Sequence, residues 1–158
     1  MKKIIKSVYC DTSVIGGIAD SEFSKSSIQF FKNVRAGLFS LVISPVVDDE
    51  INTGGTPQVV ITEYEKLLEY CDVAKVTEEA LELQSAYLRE KILTPQWEDD
   101  ALHVALATVH SCDIIVSWNF KHIVNFQKIP LYNAVNRLLG YNEIQIYSPM
   151  ELVGSYEG

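Results

Sequence analysis

Three acidic residues lie at positions where a fold of alternating strands and helices could gather them. Asp11 follows an apolar run, Glu50 lies in the sequence VVDDEI, and Asp100 begins DALHVALA. Two carboxylates about 4 Å apart repel by about 4 kcal/mol at an effective dielectric of about 20, so three of them need raised pKa values or a cation. Because oxygen ligands select hard ions, convergence of these acids predicts Mg²⁺ or Mn²⁺. An ion of that kind can activate water against a phosphodiester.

Asp11 and Glu50 also have ordinary structural explanations. Asp11 begins the sequence DTS, which is favourable N-cap chemistry for a following helical segment. Glu50 shares a predicted helix face with Val46 and Val47, which should face the core. It therefore either points inward toward a partner or reaches out to solvent, and its spacing favours neither.

Asp100 is the last of three consecutive acids at the start of a predicted helix. The helix dipole explains acids in a first turn, and accounts easily for two of the three. Residues 101–107 are apolar nearly all round, which predicts a buried helix and leaves the last acid without a solvent face. Helical spacing does not choose between Asp99 and Asp100, because each residue turns the helix by about 100°.

The wider pattern alternates short β-branched runs with longer helical segments. Strands are predicted at residues 4–10, 39–44, 72–76, 114–118 and 144–147. Helices are predicted at 24–36, 45–51, 60–70, 77–91 and 95–111, with two further helical pieces in 119–139 broken near Pro130. Such alternation implies βαβ units. We therefore predict one domain over residues 1–158, a three-layer α/β/α sandwich with a parallel sheet of about five strands.

Proline and glycine residues that commonly begin or end helices support these boundaries. Ser44-Pro45 and Thr94-Pro95 each resemble an N-cap followed by proline at the first helical position. Gly37 is placed to end the helix at 24–36, and NTGGTP at 52–57 is the strongest break in the chain.

The predicted sheet indicates where a site should lie. Ligands of parallel α/β sheets bind outside the carboxyl ends of the strands. Asp11 leaves the first predicted strand, and Asn119 leaves the strand at 114–118. Both are short polar side chains at the edge where a site is expected.

Composition excludes several classes of function. Among 158 residues, 13 are basic and 21 acidic, giving a net charge of −8, which argues against nucleic-acid binding by a broad basic surface. The three cysteines are isolated, which favours a reducing compartment over a zinc site or a disulfide framework. No apolar run approaches about 18 residues, and the lysine-containing start reads as a first strand rather than a signal peptide. We expect a soluble cytoplasmic protein with no membrane partner.

Four segments together resemble the PIN (PilT N-terminal) domain, the metal-dependent nuclease fold of VapC-like toxins in bacterial toxin–antitoxin pairs. They are YCDTSVI, VVDDEI, EDDALHVALA and IIVSWNFKHI, in that order. The resemblance implies a parallel α/β/α sandwich whose acids share one pocket. It assigns Asp11, Glu50 and Asp100 as metal-binding acids, with Thr12 and Ser13 supporting the site.

Asn119 departs from the family pattern, because many members have an aspartate after this strand. An asparagine can orient a water through its carbonyl oxygen but adds no charge. The sequence therefore leaves open whether the site binds one metal ion or two. Asp113 is no substitute, because it lies at the opposite end of the same predicted strand.

Other residues near these motifs have two interpretations each. His103, one turn beyond Asp100 on the same side of its helix, could contact a scissile phosphate or donate to the Asp100 carboxylate, although a satisfied core histidine also fits its apolar helix. Lys121 and His122 could contact phosphate, or simply begin a surface helix. Trp97 and Trp118 favour buried packing over stacking on an unpaired base.

These observations predict a Mg²⁺- or Mn²⁺-dependent endoribonuclease that uses Asp11, Glu50, Asp100 and Asn119. The resemblance implies an RNA substrate, products with a 3′ hydroxyl and a 5′ phosphate, a cognate antitoxin and a homodimer. One alternative is a catalytically weakened PIN-fold binding module. Another is a haloacid-dehalogenase-type phosphatase with Asp11 as nucleophile, but that chemistry needs a second acid where Ser13 stands.

Overall fold

A computed structural model describes residues 4–153. Its strands are β1 (Lys6–Cys10), β2 (Phe39–Ile43), β3 (Cys71–Val73), β4 (Ile114–Val116) and β5 (Gln145–Tyr147). Its α-helices are α1 (Thr12–Gly16), α2 (Ser24–Arg35), α3 (Pro45–Asn52), α4 (Gln58–Leu67), α5 (Glu78–Arg89), α6 (Glu98–Val109), α7 (Ile129–Leu138) and α8 (Pro149–Val153). Short 3-10 helices span Gly17–Ala19 and Pro95–Trp97.

The five strands form one parallel sheet in the order β3-β2-β1-β4-β5. Successive side chains of a strand point to opposite faces, so the sheet contributes side chains to a hydrophobic core on each face. Tyr9 and Ile115 pack with α5, α6 and α7, whereas Val8 and Cys10 pack with α1, α2, α3, α4 and α8. The predicted three-layer α/β/α sandwich with five parallel strands is confirmed.

The proline signals are confirmed as helix starts. Pro45 lies in the first turn of α3, and Pro95 opens the 3-10 helix that leads into α6. Ser44 precedes α3 but makes no capping hydrogen bond with its side chain. Gly37 follows α2 with φ of 81°, the left-handed conformation that glycine adopts without strain.

The segment between β4 and α7 differs from the prediction. The segment 120–128 consists mainly of turns rather than a first helical piece. The Oδ1 atom of Asn119 accepts the backbone amide of His122, and the Oδ1 atom of Asn125 accepts those of Gln127 and Lys128, which favours turns over a helix. Pro130 lies in the first turn of α7 and so begins a helix rather than breaking one. The short helices α1 and α8 were not predicted.

Within residues 4–153, no helix is both long enough and apolar enough to cross a membrane. The assignment of the whole chain to one domain stays a prediction, and its ends at 1–3 and 154–158 lie outside the described residues.

Candidate active site at the carboxyl edge of the sheet

Polar residues from four parts of the chain meet at the carboxyl edge of the sheet. Asp11 directly follows β1, and Asn119 follows β4, the strand paired with β1. Glu50 lies on α3, which follows β2, and Asp100 lies in the first turn of α6. Parallel strands end at the same edge, so chain topology brings these distant residues into one region.

Asp11 is buried, with 4% of its surface exposed, and both its carboxylate oxygens accept hydrogen bonds. Ser13, the predicted supporting residue, donates from Oγ to Oδ1 at 2.6 Å, and Ser117 donates from Oγ to Oδ2 at 2.6 Å. Burial raises the pKa of Asp11 despite these bonds and the nearby charge of His103. Asp11 occupies the N-cap position of α1, but its side chain caps nothing.

Ser117 is a site residue that the sequence did not reveal. Besides donating to Asp11, its Oγ accepts the backbone amide of Asn119 at 2.9 Å. The Oγ of Ser13 similarly accepts the backbone amide of Trp118 at 2.9 Å. These contacts tie the first aspartate to the chain that leaves β4. The available signal was a hydroxyl residue near the carboxyl end of the strand predicted at 114–118, which in the structure ends at Val116.

Glu50 lies half-buried at the edge of the site, with 37% of its side chain exposed. Its Oε1 atom accepts hydrogen bonds from Thr12 Oγ1 at 3.0 Å and from the ring of His103, whose Nε2 lies 2.7 Å away. Burial raises the pKa of Glu50, but the bond to His103, the charge of that ring and the bond from Thr12 together lower it below its ordinary value. Thr12 therefore supports Glu50 rather than Asp11.

His103 is buried, and both its ring nitrogens have partners. Nε2 contacts Glu50, and Nδ1 lies 2.7 Å from the hydroxyl of Tyr9, which in turn lies 2.7 Å from Ser44 Oγ. Burial lowers the pKa of His103, but the Glu50 contact and neighbouring carboxylates raise it overall. His103 therefore contacts the carboxylate of Glu50 and not that of Asp100, and its burial leaves neither ring nitrogen free for the substrate contact that the sequence allowed.

His122 pairs with Asp100 in the same manner. Its Nδ1 lies 2.8 Å from Asp100 Oδ2, and its backbone amide donates to Asn119 Oδ1 at 2.9 Å. His122 is buried and lies in a turn, so the surface helix start offered by the sequence is wrong. Asp99 is exposed and makes no side-chain hydrogen bond within residues 4–153, which distinguishes it from Asp100.

A cleft of about 480 Å³ opens beside these pairs. Its lining combines acids with polar, aromatic and basic groups: Glu50, Gln96, Trp97, Asp99, Asp100, Asn119, Lys121 and His122. The prediction of buried packing is wrong for Trp97, which is 37% exposed, but is confirmed for Trp118, which stacks on Phe23 with ring centroids 4.2 Å apart. Asp11 does not line this cleft.

The donors at this edge fit a hard divalent cation in type. Glu50 Oε2 and Asp100 Oδ1 accept no hydrogen bond from residues 4–153, and both side chains line the cleft. Carboxylate and amide oxygens are the ligands that Mg²⁺ and Mn²⁺ prefer. Within residues 4–153, however, no three His, Cys, Asp or Glu side chains lie close enough to form a metal cluster.

No family model and no curated protein matches the sequence. Solved structures do match the fold. One is the DNA-bound VapBC of Salmonella typhimurium, with TM-score 0.59, 16% identity, and coverage of 92% of this chain and 99% of that one. VapBC2 of Rickettsia felis, bound to a promoter DNA fragment, has TM-score 0.59 and 15% identity, with coverage of 90% and 98%.

A third similar structure is VapC20 of Mycobacterium tuberculosis, described as a toxin that cleaves the sarcin–ricin loop. It has TM-score 0.52 and 12% identity, with coverage of 87% of this chain and 98% of that one. This chain has the VapC-like fold. The PIN-like architecture implied by the four sequence segments is therefore confirmed, whereas identities this low extend to the fold alone.

Proposed function

We propose that this chain is a metal-dependent endoribonuclease, the toxin of a toxin–antitoxin pair, acting in the cytoplasm. The observation that carries the proposal is the placement of Glu50, Asp100 and Asn119 on one cleft at the carboxyl edge of the sheet, beside the buried Asp11. The shared fold with VapC20, described as a toxin that cleaves the sarcin–ricin loop, supports RNA as the substrate.

Mg²⁺ or Mn²⁺ would be held by Glu50 and Asp100 through their unbonded oxygens. Asp11, which the sequence assigned as a third ligand, does not line this cleft and interacts electrostatically with Glu50. When bound, such an ion supplies an activated water and shields the charge that develops on the phosphate. Asn119 would orient the attacking water, because a carbonyl oxygen has a second lone pair beyond the one used by His122.

The protein's own residues hold these groups in place. His103 and Thr12 fix one oxygen of Glu50, and His122 fixes one oxygen of Asp100, and the other oxygen of each would be available to a ligand. Lys121 would contact the RNA phosphate at the mouth of the cleft. We further propose in-line attack at phosphorus, which leaves a 3′ hydroxyl and a 5′ phosphate.

The comparison with solved structures also supports a proposal about the protein partners of this chain. A solved structure that shares the fold is described as a toxin–antitoxin complex, from Klebsiella pneumoniae. We propose that this chain likewise binds a cognate antitoxin and forms a homodimer.

A second candidate is the catalytically weakened PIN-fold binding module. Two observations favour it. Asn119 lies where an additional carboxylate would help to hold a cation. Within residues 4–153, the acids do not form a cluster of three metal ligands. The phosphatase alternative is weaker, because Asp11 is buried and both its oxygens accept hydrogen bonds, so it is not presented as a nucleophile.

Calorimetric titration with Mn²⁺, together with cleavage assays on single-stranded RNA, tests the proposal. We expect one or more Mn²⁺ ions to bind, cleavage that requires the ion and stops with EDTA, and loss of both cleavage and binding in a D100N variant. D49N is the matched control, because Asp49 is an exposed acid beside Glu50. A folded protein that binds no Mn²⁺ at millimolar concentration supports the binding module instead.

A further inference from the structure

Acidic residues dominate the charge of the proposed active-site cleft. Glu50, Asp99 and Asp100 line it, and Lys121 is the one lysine or arginine among its lining residues. The whole chain carries a net charge of −8. An RNA strand therefore gains little from phosphate contacts here, since such contacts need several cations. Without a bound cation, most of the affinity for a nucleic acid has to come from another part of the nucleotide.

Trp97 supplies the surface that such an interaction needs. The residue is 37% exposed and lines the cleft, at the end of the 3-10 helix that leads into α6. The ring of His122 holds it on one side, with centroids 4.5 Å apart and an angle of 42° between the planes. An aromatic ring already positioned by a buried neighbour loses little freedom when a base stacks on it.

Two polar side chains stand beside the exposed ring. The Nζ atom of Lys121 lies 5.6 Å from the centroid of Trp97, within cation–π range. Gln96, which precedes Trp97 in the chain, lines the same cleft, and its side-chain amide makes no hydrogen bond within residues 4–153. An amide both donates and accepts, so it can pair with the edge of any base.

We infer that Trp97, Lys121 and Gln96 form a nucleotide subsite that stacks one unpaired RNA base on the indole, beside the acids of the cleft. This inference rests on the proposed function for the identity of the ligand as RNA, and it names the form of RNA selected. A base within a duplex is stacked on its neighbours and has no free face for Trp97. The subsite therefore selects single-stranded segments and loops.

Binding in EDTA tests the subsite apart from any metal chemistry. The probes are a short fluorescein-labelled single-stranded RNA of mixed sequence, the same length of abasic strand, and the same sequence as a blunt duplex. We expect the single strand to bind about tenfold or more tightly than either of the others, because loss of a stacked base costs roughly that much. The salt dependence of binding should correspond to about one neutralised phosphate.

Variants of Trp97 make the test specific. W97A should weaken binding of the single strand by about tenfold to a hundredfold, whereas W97F should stay within about threefold of the unaltered protein. Unlabelled RNA should quench tryptophan fluorescence in the unaltered protein but not in W97F, whose remaining Trp118 is buried. Circular dichroism melting of W97A and W97F shows whether each variant is folded.

The inference is overturned if the abasic strand or the duplex binds as tightly as the single strand, if folded W97A binds normally, or if none of the probes binds. Its failure is distinct from failure of the nuclease proposal. Trp97-dependent binding without Mn²⁺-dependent cleavage leaves the subsite standing and removes the enzyme. Cleavage with an unchanged KM in W97A removes the subsite alone.

Discussion

The Nε2 atom of His103 lies 2.7 Å from Oε1 of Glu50, and this contact joins a buried helix to the edge of the candidate active site. Because His103 is buried, it reaches the cleft only through the carboxylate. On the other side of the ring, Nδ1 is held by the hydroxyl of Tyr9 from the central strand. The orientation of Glu50 is therefore set by residues far from it in the sequence.

Substitutions of His103 should affect turnover rather than RNA affinity. A glutamine amide can still donate to Glu50, whereas leucine cannot, so we expect H103L to lower kcat by about tenfold to a hundredfold and H103Q to lower it less. KM should change little in both, because His103 does not contact the RNA. Steady-state cleavage of a labelled single strand measures the two constants. A raised KM with unchanged kcat would contradict this role.

A D11N substitution should remove activity and change how the stability of the protein depends on pH. Burial raises the pKa of Asp11, so its contribution to stability is complete below the unfolded pKa of about 3.9 and is lost as pH rises through the folded pKa. Asparagine does not ionise and escapes that loss, but it offers one acceptor oxygen where Ser13 and Ser117 each donate to the carboxylate, which costs stability at every pH. The Tm of D11N minus that of the unaltered protein should therefore rise between about pH 4 and about pH 7. Thermal melting over this range measures the difference, and a difference that does not change with pH would contradict this account.

The neighbouring acids Asp99 and Asp100 provide a matched pair. Both line the cleft, but only Asp100 is held by His122. We expect D100N to reduce cleavage by at least about a hundredfold and D99N to stay within about threefold, because a fixed charge stabilises a transition state better than a mobile one. Cleavage rates of both variants, at a Mn²⁺ concentration that saturates the unaltered protein, make the comparison. Equal losses would show that only the summed charge of the cleft matters.

Replacement of Asn119 by aspartate tests the departure from the family pattern. Aspartate can accept the same hydrogen bond from the backbone amide of His122, so the turn should be preserved. Its added charge should tighten Mn²⁺ binding by about tenfold and lower the Tm in the absence of the ion. Calorimetry and melting with and without Mn²⁺ check both effects. Unchanged affinity would place Asn119 outside the cation site.

Two adjacent glycines near the site should respond differently to alanine. A Cβ at Gly17 would lie 2.6 Å from Ser27 Oγ and 2.8 Å from Trp118 Nε1, which are themselves hydrogen-bonded at 2.8 Å. We expect G17A to lower the free energy of unfolding by about 1–3 kcal/mol. Gly16 has a helical conformation and no atom within 4 Å of its Cβ position, so G16A should be neutral or slightly stabilising. Urea denaturation of both variants makes the comparison.

The acids of the site could be identified from the sequence because the residues that indicate their positions are close neighbours along the chain. Asp11 and Asn119 follow apolar strand runs, and Asp100 begins an apolar helix, so each could be assigned to the carboxyl edge from its neighbours along the chain. The side chains that hydrogen-bond to these acids could not be identified from the sequence. Nothing near Glu50 in the sequence indicates that residue 103 would hold it, and His122 is 22 positions from Asp100.

The same distinction holds for the whole molecule. The sequence by itself determined the elements that alternating apolar periods and proline or glycine signals encode, and hence the α/β/α layers and their parallel sheet. Only the tertiary structure decided which histidine holds which carboxylate, that Ser117 supports Asp11, and that Trp97 stays exposed. Local propensity acts between residues a few positions apart, whereas these contacts depend on how separate helices and loops pack against one sheet.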